Sequence, residues 1–513
     1  MATDNTVLIT DFRAGLVSDL PPAELPPGAC ADTLNAWPTA TGALGVRRGV
    51  EALHSSAYPP LYATLAVRKA GGVHYLGVGA SQVYAGNPST GLSQISGYTA
   101  SNHTDTALFG QMPAALIQYG GKFFVMTQAA VWELTESSGS WSLSEKTGFS
   151  PSPPGATMSA IHHSYLFTAG DGSYPNRVSW CKLFDPLSSD SWPATSYIDV
   201  GDRFGGPITG LASSLDGYLF VACQDSIFGV QGYGWDTGDD LVVQELHGLK
   251  GCVAPQTVKA TTGGVFYVGN DGVYVAGQSA GRISDPVANH FRGRNLSKCT
   301  AIVTNDLYGV TIPHKTVTDQ YEYLLVYDRR HKTWSKWDVV PRNQFDLFVP
   351  GSCPSTHFAF QDVAQGQIWT QGNKCADDTV GTVYPGSSLY PETTLYPGGG
   401  AGTAAVRLEW TSGQMTPSGD PFMQADIPEA WLAASTKQPV AVDVTARWDY
   451  GTEQSETLVM LEGDYGSEDV WRQDRKRVGG LGKGHTLELG LVASVTDDFA
   501  VEAVSLLPRP YRQ

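Results

Sequence analysis

The chain has 513 residues, of which 42% are hydrophobic and only 16% charged, and its formal net charge is −17. So acidic a chain does not suit binding nucleic acid by phosphate neutralisation, which needs Lys and Arg, but it does suit a conduit that nucleic acid passes without sticking. No apolar run reaches the ~18 residues of a membrane helix, and the 58 Gly and 31 Pro, with abundant Tyr, Phe and Trp, favour turns and strands over helices.

Residues 1–55 read as a leader. The opening Met1-Ala2-Thr3-Asp4-Asn5 has neither a basic n-region nor an apolar h-region, so no signal peptide is expected. Thr6–Thr10 reads as a strand. Phe12-Arg13-Ala14-Gly15-Leu16 and Leu25-Pro26-Pro27-Gly28 follow, then Ala31–Trp37 as a helical turn or a strand, then a turn and strand over 41–50. The paired prolines predict extended chain, and an extended, aromatic leader is expected to pack on neighbouring subunits or connector proteins.

Residues 56–375 repeat one phrase: Gly-x-aromatic-aromatic-aliphatic, a turn, then aliphatic-aromatic. It occurs as Gly72-Val73-His74-Tyr75-Leu76 with Val83-Tyr84, Gly121-Lys122-Phe123-Phe124-Val125 with Val131-Trp132, Gly217-Tyr218-Leu219-Phe220-Val221 with Ile227-Phe228, and Gly264-Val265-Phe266-Tyr267-Val268 with Val273-Tyr274. Each copy is a β-hairpin. Looser copies stand at Tyr165-Leu166-Phe167, Leu307-Tyr308-Gly309-Val310 and Phe358-Ala359-Phe360. The centres recur roughly every 40–55 residues, the period of a propeller blade, and such a repeat buries its face only against its neighbours. The fold class is therefore all-β, a β-propeller of six or seven blades. Tyr75, Phe124, Phe220 and Tyr267 are expected at equivalent buried positions. Tyr323–Tyr327 and Thr333–Trp337 form a further hairpin, in wording that recurs in kelch-like blades.

Residues 376–405 read as a linker in which Val383-Tyr384-Pro385, Leu389-Tyr390-Pro391 and Leu395-Tyr396-Pro397 recur every six residues before Gly398-Gly399-Gly400. It is either a contact arm or a flexible tether. Residues 406–513 alternate with period two over 406–410, 440–448, 457–461, 485–489 and 499–506, which predicts a separate β-sandwich-like domain with one wet and one dry face. A brief helix is the alternative over Pro428–Ala434.

Candidate chemistry is sparse. His162-His163 is the one His pair, and neighbours on a strand point to opposite faces. Asp236-Thr237-Gly238-Asp239-Asp240 reads as an acidic turn rather than a Ca²⁺ loop. Ser213-Ser214-Leu215-Asp216-Gly217 matches the Asp box of sialidase propellers only in part. The Gly-rich stretch 479–484, after Arg472, Arg475, Lys476 and Arg477, reads as a glycine-kinked hairpin. The seven cysteines (Cys30, Cys181, Cys223, Cys252, Cys299, Cys353, Cys375) show no metal-ligand spacing and suit folding in a reducing cytoplasm. No catalytic, cofactor-binding or metal-ligating set is expected, and no enzyme.

The leader phrases Phe12-x-x-Gly15-Leu16, Leu25-Pro26-Pro27-Gly28, Asn35-Ala36-Trp37 and Arg47-Arg48-Gly49 resemble those of bacteriophage tail-connector proteins. So does the ordered series Asp225–Phe228, Lys250–Pro255, Asn270–Tyr274 and Ile283-Ser284-Asp285-Pro286, and so do Arg477, Gly480, Gly482, His485, Leu487 and Leu489 near the end. Together they are similar to the propeller proteins of the tail nozzle or packaged-DNA stabilisation type. The resemblance implies a virion structural protein, assembled in the host bacterial cytoplasm. It implies a homo-oligomeric ring, a hexamer by preference, that continues the DNA channel, lets dsDNA pass without specific binding, and docks other tail or receptor-binding proteins. The alternatives are a propeller-fold carbohydrate-active enzyme, which needs clustered carboxylates, and a cellular propeller scaffold.

Overall fold

The computed structural model describes residues 7–96, 114–201, 205–232, 241–347, 359–362, 367–371, 376–379, 402–415, 425–460, 472–495 and 499–510, apart from single or paired positions within these spans. Seven antiparallel sheets follow one another along the chain over residues 61–95, 115–146, 158–199, 208–245, 259–282, 301–337 and 341–371. Their first strands meet in a closed circle, the last against the first. This is a seven-bladed β-propeller, with the strands of each blade stepping outwards from the axis.

Each repeated phrase forms the second strand of a blade, and its aliphatic-aromatic close begins the third. Tyr75, Phe124, Phe220 and Tyr267 all lie on second strands and are at most 2% exposed. They project between blades: Tyr75 meets Phe345 edge-on at 5.2 Å, and Phe220 meets Tyr267 at 5.6 Å. Seven apolar clusters fill the seven gaps between adjacent blades. That is how a hairpin repeat too thin to have its own core is stabilised. Polar contacts cross the same gaps. Thr209 Oγ1 donates to the Cys252 carbonyl at 2.9 Å, Tyr308 OH to the Thr257 carbonyl at 2.8 Å, and Thr64 Oγ1 to the Gln344 carbonyl at 2.7 Å.

The ring is closed by the leader. Val50–Ala52 is the outermost strand of blade 7, paired with Ile368–Gln371. The propeller therefore begins before residue 56.

The rest of the leader packs within its own chain, where its strands complete a two-sheet sandwich. One sheet, here the Trp431 sheet, runs Ala36–Pro38, Leu44–Val46, Phe499–Pro510, Ala425–Thr436, Arg472–Val478, with Val7–Ile9 also on Phe499–Pro510 and Lys483–Gly484 also on Ala425–Thr436. The other, the Trp410 sheet, runs Gly15–Leu16, Ala29–Leu34, Gly402–Ser412, Leu487–Val495, Val440–Trp448, Glu453–Met460. Alternation in Val440–Trp448 sends every second side chain inward, as its period required. Residues 428–434 are strand rather than helix, because Ala430, Leu432 and Ala434 must all face the core. The Gly-rich stretch is no hairpin: the strands before and after it, Arg472–Val478 and Lys483–Gly484, both pair with Ala425–Thr436 and form one interrupted edge.

Candidate functional site at the propeller–sandwich junction

The sandwich stands on blade 6, and the leader phrases supply the contact. Phe12 is buried and meets Trp410 edge-on at 5.4 Å. Gly15, at φ +66°, passes so close to blade 6 that a Cβ there would come within 2.8 Å of the Thr333 Cβ and the Trp334 carbonyl oxygen. Gly28, at φ +78°, leaves room for the Asp11 carbonyl, which any side chain would overlap. Both positions need left-handed backbone that glycine adopts freely.

Asn35 turns the corner between Ala29–Leu34 and Ala36–Pro38 with φ +57°, and it is fully buried. Its Nδ2 donates to Asp338 Oδ2 at 2.9 Å and to the Arg407 carbonyl at 2.8 Å. Its Oδ1 accepts from Arg47 Nε at 2.9 Å and from the Asp338 amide at 3.1 Å. Arg47, whose side chain is 1% exposed, closes the set with Nη2 2.7 Å from Asp338 Oδ1. One asparagine, one arginine and one aspartate thus tie the leader to the end of blade 6 and to the Gly402–Ser412 strand. A buried guanidinium is tolerable only when so paired.

The Ile283–Pro286 phrase arrives from blade 5. The Ile283 carbonyl accepts from Trp334 Nε1 at 3.0 Å, Ser284 Oγ accepts from the Val273 amide at 3.0 Å, and the Pro286 carbonyl accepts from the Ser18 amide at 2.9 Å. Beside it His290 Nδ1 lies 2.5 Å from Tyr323 OH, and Arg294 Nη2 lies 2.8 Å from Glu322 Oε2. Burial, and then the Lys336 charge, push the His290 imidazole down to about 4. The junction therefore holds a neutral histidine at ordinary pH.

Other sequence candidates lie elsewhere. His162 and His163 do not point to opposite faces. His163 sits in a tight turn at φ +46°, and the two rings are 4.1 Å apart. His162 Nδ1 is 2.8 Å from Ser213 Oγ on the next blade, and burial followed by the His163 charge lowers it to about 4. The partial Asp box is the turn between the first two strands of blade 4. Cys30, Cys181, Cys223, Cys252 and Cys299 are buried free thiols, all pushed upward by burial. Asp236–Asp240, Cys353, Cys375, the Tyr-Pro hexads of 383–397, and Gly480, Gly482 and His485 lie outside the described residues. Among the described residues no three His, Cys, Asp or Glu side chains gather as a metal set, and no helix is long and apolar enough to cross a membrane.

The propeller axis holds a cavity of about 240 Å³ lined mostly by first-strand residues, among them Tyr62, Thr64, Lys259, Asn343 and Gln344, with Gln256 from the turn before blade 5. Sequence reading missed Asp338, which belongs to no recurring phrase. Its one signal is its place straight after Trp337, at the end of an outer strand.

Neither protein-family models nor curated proteins match this chain. Among solved structures, the β-propeller domain of Myceliophteria thermophila Cps50 (Swd1) is similar at 9% identity, over 60% of this chain and 81% of that one, with a TM-score of 0.28. The strand pairings carry the fold assignment.

Proposed function

We propose that this chain is a structural subunit of a tailed-bacteriophage virion, a ring-forming nozzle, connector or tail-hub protein, hexameric, that continues the DNA channel and docks other tail or receptor-binding proteins. One observation carries the reading. Five of the phrases that resemble connector proteins, at 12–16, 25–28, 35–37, 47–49 and 283–286, stand far apart in the sequence, and residues of each take part in one junction, while those at 225–228, 250–255 and 270–274 lie in or between blades 4 and 5. The five behave as one structural unit, which is what a shared architecture would preserve.

In this reading DNA does not thread the propeller. The first strands of all seven blades meet around the axis and leave only a cavity of about 240 Å³ between them. The conduit is the space enclosed by the ring, and its wall carries more Asp and Glu than Lys and Arg, so that few phosphates are neutralised and transit stays fast. Immunogold labelling of purified particles tests this. Gold at the head–tail joint or tail end is the expected result. Particles that lack the chain, together with glycan-cleaving activity of the isolated protein, would hand the function to the enzyme alternative.

A further inference from the structure

On the outer face of the Trp410 sheet, charged residues (Arg407, Glu409, Asp443, Arg447 and Glu488) alternate with Ala441, Val459 and Val492. On the Trp431 sheet the rows in register read Leu8, Ser505, Trp431, Arg477 and then Ala503, Ala433, Arg475. This face carries small residues around one tryptophan, with Arg475 and Arg477 along one strand and Glu429 Oε1 3.6 Å from Arg477 Nε. Leu8 is 59% exposed. The Arg475 guanidinium lies 4.7 Å from the Trp431 ring centre, and Trp431 Nε1 donates to Glu429 Oε1 at 2.9 Å. One row further, Thr39, Thr41, Ser435, Gln473 and Glu502 line a shallow groove of about 670 Å³.

We infer that this face is the docking surface for the Leu-Tyr-Pro segment, residues 380–401, of a second copy of the chain. The inference rests on the ring reading above. The segment leaves and re-enters a single hairpin, since Ala376–Thr379 pairs with the start of Gly402–Ser412 and Thr379 stands opposite Gly402. The two ends of the segment are therefore held side by side. Its 22 residues, half going out and half returning at ~3.3 Å each, limit its reach to about 35 Å. Glu392 is its only charged residue. Three Tyr-Pro pairs at a spacing of six suit the recognition of proline-rich chain by aromatic-lined grooves. Trp431 under Arg475 offers a cationic plane on which a tyrosine ring stacks, and Arg475 offers a partner for Glu392, Arg477 being paired with Glu429. Cations on an edge strand also discourage stray strand pairing, but that role calls for no bare Ala/Ser face beside them.

The test uses the full chain. A photo-cross-linking amino acid is placed at position 433 in a mixture of isotopically light and heavy copies, and cross-linked peptides are read by mass spectrometry. The expected product joins position 433 of one copy to the 384–396 region of another. In sedimentation, the triple variant Tyr384→Ser, Tyr390→Ser, Tyr396→Ser and, separately, Arg475→Glu each weaken self-association by ~30-fold, the size of a hot-spot loss. Rings that cross-link elsewhere, or only within one copy, or that assemble normally in both variants, overturn the inference and leave the ring reading standing. A wild-type chain that stays monomeric overturns both.

Discussion

In blades 2 to 6 of the propeller each strand pairs with the next one along the chain. In the sandwich Val7 pairs with Leu506 and Cys30 with Ser412. Blade 5 is complete within residues 259–282, whereas each sandwich sheet draws strands from both ends of the sequence. Local pairing leaves a record in neighbouring residues, because a hairpin must write both strands and its turn consecutively. Distant pairing leaves none. The same contrast predicts where damage stays local and where it spreads.

Three experiments sharpen the contrast, from the largest expected effect to the smallest. Truncating Phe124, Phe220 or Tyr267 to Ala removes a fully buried aromatic from a gap between blades. Each should cost ~3–5 kcal/mol in urea unfolding, with similar values because the positions are equivalent. Costs that scatter from near zero to full size would break the equivalence of the blades. Next is Asp338→Ala, which leaves the buried Arg47 guanidinium without its carboxylate. Losing one partner of a buried pair costs ~3–5 kcal/mol, and the partial exposure of Asp338 puts this case at the low end. The loss should appear first as protease sensitivity of the leader, with the blades still protected. Uniform cleavage of leader and blades would mean that the two regions do not melt separately.

The smallest effect is that of pH. His162, between blades 3 and 4, and His290, in the junction, are both held near 4 against an ordinary 6.5. Below 6.5 the unfolded chain binds these protons first, so stability is full above that value and declines as pH falls towards 4. The slope is at most ~1.4 kcal/mol per pH unit for each histidine. His290→Gln should flatten half of this slope. Asp32, Glu322, Arg294 and Lys336 also surround that ring; an unchanged slope would mean that His290 does not carry it.

How much was legible follows from the same contrast. The seven phrase centres read from the sequence are the seven second strands, because glycine, turn residues and aromatics stand at fixed offsets within a hairpin. The period-two runs after residue 405 marked strands with one dry face. They could not say that Val501, Val504 and Leu506 share a core with Leu16 and Ala36. The prolines of the leader suggested extended chain, but Pro22–Glu24 makes a single 3₁₀ turn and the flanking residues enter sheets. Strand propensity was visible; the partner was not. The junction was half legible: Asn35 and Arg47 stood in phrases worth noting, while Asp338, which joins them, lay about 290 residues further on in an unremarkable run.

The closing strand Val50–Ala52 and the leader strands also set an order of events during synthesis. Residues 7–52 emerge first, yet their partners at 368–371, 402–412 and 499–510 are made last. At ~5–20 residues per second, the Val7–Ile9 strand waits roughly 25–100 s for its mate. Blades 1 to 6 form and stack in that interval, each as soon as its four strands are out. A ribosome halted before residue 368 therefore releases a row of blades with an unsealed seam, and one halted before residue 499 releases a closed propeller with an unfinished sandwich.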